Sequence, residues 1–84
     1  MNIKEVYKEL YPLTIVIDRY TGTYSGGIFT AWNLDLDEIP EDICADDNSA
    51  SDFFDDIRYG RRDYIYGVGA TPDEAAMDLY IKKF

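Results

Sequence analysis

The sequence predicts an α+β fold: an N-terminal helix, a three-stranded antiparallel sheet, an acidic insert with short helical turns, and a C-terminal helix packed on the sheet. Three observations carry that expectation. Two segments open with helix-capping residues, three alternate or are rich in β-branched residues, and the stretch 35–56 interrupts both patterns with a run of acids. At 84 residues the chain is expected to be a single α+β domain, 1–84, because hydrophobic cores organise roughly 50 to 200 residues.

Asn2 followed three residues later by Glu5 has the form of a helix N-cap with a returning carboxylate, and Ile3, Val6, Tyr7 and Leu10 recur at helical spacing. Residues 2–10 therefore read as a short helix, ended by Pro12. Residues 13–20 are rich in β-branched side chains, with Leu13, Ile15 and Ile17 on one face, and form the clearest strand. The turn region 21–27 supplies three glycines able to take positive φ, and 28–32 returns as a second strand. Residues 61–68 alternate well enough for a third. Gly69-Ala70 then turns into the strongest helix signal in the chain, Thr71-Pro72-Asp73-Glu74, with a capping threonine, proline at the first helical position and Glu74 closing a capping box. Lys82 and Lys83 suit the negative end of that helix dipole. Ala75, Ala76 and Leu79, with the longer-reaching Met77, Tyr80, Ile81 and Phe84, would cover one sheet face.

The formal charge is −9, and it is not spread evenly. Between Asp35 and Asp56 lie ten acids and no base; the other 62 residues hold seven acids and eight bases. The scaffold is neutral and the insert is the anion. Were the insert wholly helical, its charges would recur about every 3.3 Å, against about 3.4 Å per phosphate along one DNA strand. Leu34, Leu36, Ile39, Ile43, Phe53, Phe54 and Ile57 are interleaved with the acids, more apolar bulk than a solvating loop carries, so the segment is expected to dock one side on the core. Pro40 can open a short helix, and Ser49 or Ser51 can cap a second turn with Phe53 and Ile57 on one face. The candidate partner-binding residues are Asp35, Asp37, Glu38, Glu41, Asp42, Asp46, Asp47, Asp52, Phe53, Asp55 and Asp56, with the carboxylates supplying encounter and Phe53 or Phe54 and exposed tyrosines supplying apolar anchoring.

Other chemistries find little support. Histidine is absent and Cys44 is the single cysteine, so the commonest zinc, haem and His-based catalytic groups are missing. Gly67-Val68-Gly69 lacks the third glycine of a dinucleotide loop, and Asp73-Glu74 would repel phosphate there. Counting Asp46 as the first position of a calcium loop puts Ser51 where glycine belongs and Ile57 where glutamate belongs. Ser25-Gly26-Gly27 reads as turn geometry, not as a nucleophile elbow. Arg58, Arg61 and Arg62 with Tyr59, Tyr64 and Tyr66 could stack on nucleic acid, but beside ten carboxylates they are expected to fork onto the acids instead. No apolar run is long enough for a membrane span, and Met1-Asn2-Ile3-Lys4-Glu5 has no apolar signal region. The expectation is a protein that is not an enzyme, with no catalytic residue, cofactor, metal, direct nucleic-acid contact or membrane contact, in the cytoplasm.

The order strand, strand, strand, helix, with Gly69-Ala70-Thr71-Pro72-Asp73-Glu74-Ala75-Ala76 entering the helix, resembles the HicB-like antitoxin scaffold over about 40 residues. With the sequence ending at Phe84, the chain is expected to lack that scaffold's C-terminal DNA-binding extension, and it places the acidic insert between the second and third strands. As a whole, with Tyr24-Ser25-Gly26-Gly27 leading to Thr30-Ala31-Trp32 and a Thr-Pro-Asp-Glu-Ala helix, it looks like the small acidic proteins of bacteriophages that include anti-CRISPR and other anti-defence inhibitors. That resemblance implies an inhibitor mimicking nucleic-acid charge, whose partner is a basic nucleic-acid-binding protein of the host, for example a CRISPR effector complex in the host cytoplasm. The HicB-like resemblance implies the alternative, an antitoxin or protein-interaction module.

Overall fold

A computed structural model describes residues 2–84. Helix α1 spans Ile3–Leu10, strands β1 and β2 span Thr14–Ile17 and Phe29–Trp32, and strand β3 spans Tyr66–Gly69. Between β2 and β3 come two single turns of 3₁₀ helix, Leu36–Glu38 and Glu41–Cys44, and helix α2, Asp47–Arg58. Helix α3, Pro72–Lys83, closes the described chain. The sheet order is β1-β2-β3 with both pairs antiparallel, so β2 is central, and the arrangement is α+β as the sequence predicts. No helix among the described residues is long and apolar enough to cross a membrane.

The two N-caps form as their residues suggest. Asn2 Oδ1 accepts from the Glu5 amide at 3.0 Å, and Thr71 Oγ1 accepts from the Glu74 amide at 3.1 Å. The Glu74 carboxylate returns to the Ala70 amide at 3.0 Å, one residue before the cap. The strands are shorter than the alternation implies. β1 stops at Ile17 because the buried carboxylate of Asp18 gathers the next turn: Gly22 N–H and Ser25 Oγ donate to its Oδ2 at 2.6 and 2.8 Å, and Tyr20 N–H donates to Oδ1 at 3.3 Å. β3 starts only at Tyr66, because the Arg61 and Arg62 amides turn back onto the Asp56 carbonyl and prolong the end of α2.

Alternation along the strands sends side chains to two faces, and both are covered. On one face Val6 and Leu10 of α1, Ala31 of β2, and Ala75, Ala76 and Leu79 of α3 form a fully buried cluster. Small residues let α3 lie close to β3: a Cβ added at Gly67 would meet the Ala75 carbonyl, the Leu79 amide and the Leu79 Cβ. Gly67→Ala must therefore push α3 off the sheet, an overpacking expected to lower stability by about 1–3 kcal/mol. Urea unfolding of the variant checks this, and a loss under a few tenths of a kcal/mol would contradict such close helix–strand approach.

On the opposite face Trp32, Ile43, Phe53 and Phe54 form a second cluster, flanked by Val16, Tyr24, Leu34, Ile39, Ile57, Tyr64 and Tyr66. Trp32 stacks on its cross-strand partner Tyr66 at 5.0 Å and 17°, and its indole N–H donates to Thr30 Oγ1 at 2.8 Å. The acidic insert is thus the second covering layer of the sheet.

Candidate functional site

The insert owes its shape to the apolar residues threaded through it. In α2, Ala50, Phe53, Phe54 and Ile57 recur at i, i+3, i+4 and i+7, and the first three are buried against the sheet. Asp46, not Ser49 or Ser51, caps this helix: its Oδ1 accepts from the Ser49 amide at 2.8 Å, and the two serines fall inside the first turns. Three turns of helix therefore stand where the serine spacing predicts one. Ile43 anchors the second 3₁₀ turn in the same cluster, and Glu38 fixes the first by accepting from the Asp35 amide at 3.0 Å.

The carboxylates line the outside of this layer. Asp35, Asp37, Glu38, Glu41, Asp46, Asp47 and Asp52 are exposed, and Asp42, Asp55 and Asp56 are half-buried. The half-buried three are those held by arginine. Arg58 pairs with Asp55 at 3.1 Å and Arg61 with Asp56 at 2.7 Å, while Arg62 lies 3.2 Å from Asp56 and 3.6 Å from Asp42. The Arg62 guanidinium also sits 4.9 Å from the centre of the Phe53 ring, so one side chain ties the second 3₁₀ turn, α2 and the core together. Arg19 secures the other end, donating to the Cys44 and Ala45 carbonyls at 2.7 and 3.2 Å. The arginines next to α2 are thus internal partners of the insert's acids.

These contacts divide the candidate residues. Asp42, Asp55 and Asp56 are neutralised from within and Asp46 serves the helix cap, whereas Asp37, Glu41 and Asp52 have no hydrogen-bond or ion-pair partner among the described residues. Asp47 meets only the Tyr24 hydroxyl, at 3.5 Å. Phe53 is a correction. Expected as an exposed anchor, it is fully buried under Trp32 and Tyr64, because the sheet's second face needs an aromatic cover and α2 provides it. Phe54 is buried for the same reason. The apolar groups that do flank the acids are Leu36, 73% exposed between Asp35 and Asp37, and Tyr59, 67% exposed beside Arg61. Leu36 is thus a second correction: expected among the docked apolar residues, it stands between two acids in a three-residue turn and has no periodic partner to carry it to the core.

Two carboxyl groups are held below their ordinary value of 3.8. Hydrogen bonding from Arg61 does so chiefly for Asp56, with Arg62 adding to it, and the Ser49 amide does so chiefly for Asp46. With the folded value below the unfolded one, the unfolded chain binds more protons in between, so these groups stabilise the fold above 3.8 and lose that effect as pH falls through the folded value. Asp56→Asn is expected to destabilise the protein at neutral pH and to flatten the acid limb of its stability profile. Urea unfolding across the acid range measures this, and parallel profiles for parent and variant would contradict the pairing.

An open groove of about 240 Å³ runs between Asn33, Leu34, Asp63, Tyr64, Ile65 and Lys83, and no residue of 35–56 lines it. No group of three or more acids or cysteines among the described residues is placed to hold a metal ion. The exposed charges of residues 35–56 are all of one sign. Comparison of the chain with protein-family models, curated proteins and solved structures gives no match.

Proposed function

We propose that this protein is a stoichiometric inhibitor that lays the outer surface of residues 35–56 in the cationic groove of a nucleic-acid-binding protein. The observation that supports the reading most is the anchoring of the acidic segment: Ile39, Ile43, Phe53 and Phe54 are built into the Trp32 cluster while seven carboxylates stay exposed. A fixed array of carboxylates meets lysine and arginine without the ordering cost that a flexible acidic loop would incur on binding. Asp37, Glu41, Asp47 and Asp52 supply the free charge, and Leu36 and Tyr59 supply apolar contact at its margins. Long-range attraction speeds encounter and weakens with salt, while buried apolar contact governs how long the complex lasts.

The resemblance to small acidic phage proteins makes a host defence protein, such as a CRISPR effector complex acting in the cytoplasm, the first target to test. The experiment is competition: added protein should displace duplex DNA from the effector at a one-to-one ratio, with affinity falling steeply as salt is raised. Binding that is indifferent to salt would favour the HicB-like interaction module, and no displacement from any such effector would remove the inhibitor reading.

A further inference from the structure

β1 and β3 are the two edges of the sheet, and they are finished differently. Bonded and non-bonded residue pairs alternate along an antiparallel ladder. The Asp18 amide donates to the Ile28 carbonyl at 2.7 Å, continuing the register that pairs Val16 with Thr30 and Thr14 with Trp32 and making those the bonded pairs. Phe29 and Ala31 then bond towards β3, which turns the free groups of Tyr66 and Val68 outward. Helix α3 meets both. The Val68 amide donates to Asp78 Oδ2 at 2.8 Å, Lys82 Nζ donates to the Tyr66 carbonyl at 3.0 Å, and the two side chains pair at 2.9 Å. A charged pair across a strand edge blocks addition of another strand.

By the same alternation the N–H and C=O groups of Ile15 and Ile17 point away from β2. None of these four groups has a hydrogen-bond partner among the described residues. No charged side chain lies between Tyr11 and Ile17, the next acid, Asp18, is buried in its own turn, and Ile17 is 68% exposed. Among the described residues this edge has no hydrogen-bonded cover, and its strand carries no charge to keep another strand away.

We propose that β1 pairs with β1 of a second copy of this chain, antiparallel about a two-fold axis through Val16, to give a continuous six-stranded sheet. The register carries the choice of partner. With Val16 facing its own copy, Ile15 lies opposite Ile17 at both ends, and all four outward groups of each strand are satisfied by four hydrogen bonds. Ile17 then packs beside Ile15 of the other copy on the face shared with α1 and α3, which covers its exposed side chain. Arg19 falls opposite Leu13 and Asp18 opposite Thr14, so no like charges are juxtaposed. Each copy carries −9, so the repulsion between them is long-ranged and screenable. Self-association therefore strengthens with salt, opposite in sign to the charge-driven binding proposed for the insert and independent of it.

The test is sedimentation equilibrium combined with amide exchange by NMR, on the intact chain from about 10 μM to about 1 mM, at low salt and at about 0.5 M salt. The expected result is a mass rising from 9.7 kDa towards twice that value, more readily at high salt. The Ile15 and Ile17 amides should slow with concentration while Val16, already bonded to Thr30, stays slow throughout. Ile17→Lys should remain monomeric with an unchanged circular dichroism spectrum. A monomer at every concentration and salt, with Ile15 and Ile17 exchanging at constant rates, overturns the proposal. So does slowing of those amides only by an added extended peptide, or a dimer that forms while they stay fast.

Discussion

Trp32→Ala is expected to cost about 3–5 kcal/mol, the range for removing a large buried aromatic, and so to remove much of the stability of a chain this small. The ring is fully buried and stands where three elements meet: Tyr66 of β3 stacks on it, Phe53 and Phe54 of α2 lie 6.3 and 6.4 Å from it, and Tyr64 packs edge-on at 6.2 Å. Truncation would leave a cavity that aromatic neighbours fixed by one another cannot collapse to fill. The damage should be local before it is global, loosening the insert's hold on the sheet more than that of α3, whose cluster lies on the other face. Trp32→Phe keeps an aromatic filler but loses the hydrogen bond to Thr30, and is expected to cost only about 1–2 kcal/mol. Urea unfolding of both variants, followed by circular dichroism, measures the two losses. A cost below about 1 kcal/mol for the alanine variant would show that the indole does not hold the layers together.

Replacing Asp37, Glu41, Asp47 and Asp52 together with Asn or Gln is expected to weaken binding to the proposed cationic target by about 10²- to 10³-fold while leaving unfolding by urea nearly unchanged. These four are chosen because they are exposed and hold no ion pair, so their loss removes field without removing structure. The matching control neutralises Asp42, Asp55 and Asp56. Each of these substitutions also removes a full negative charge, but it unpairs an arginine as well, so this set should lower both affinity and resistance to urea, whereas the first set lowers affinity alone. Titration by calorimetry at two salt concentrations, read together with urea unfolding of each variant, separates the two sets. If the first set binds as tightly as the parent at low salt, charge mimicry is wrong whatever the fold does.

The capped helices were legible in the sequence because their signals are local. Asn2 and Thr71 place α1 and α3 within a residue, and the β-branched runs place β1 and β2. Strand ends were not legible, because they are set by single long-range or turn contacts. The Asp18 carboxylate captures the chain before it can extend to Tyr20, and the Asp56 carbonyl captures Arg61 and Arg62 before they can join β3. Helix α2 was hidden by its own composition. Its Ala50-Phe53-Phe54-Ile57 stripe has helical spacing, but acids on every other side weaken the contrast, and Ser49 and Ser51 imitate caps that Asp46 supplies. The charged belt itself was readable as a count. Which of its members are free was not, since that depends on where Arg58, Arg61 and Arg62 fold, and the burial of Phe53 follows only from the sheet having a second face to cover.

The most direct measurement is hydrogen–deuterium exchange of the α2 amides, Ala50 to Arg58, in the free protein. Helix α2 packed through Phe53 and Phe54 on Trp32 should protect them nearly as well as the core amides of β2, and Trp32→Ala should selectively remove that protection. Exchange at the rate of an unstructured peptide, in a protein whose β2 amides stay protected, would mean that the carboxylates have no fixed arrangement with which to imitate a nucleic acid.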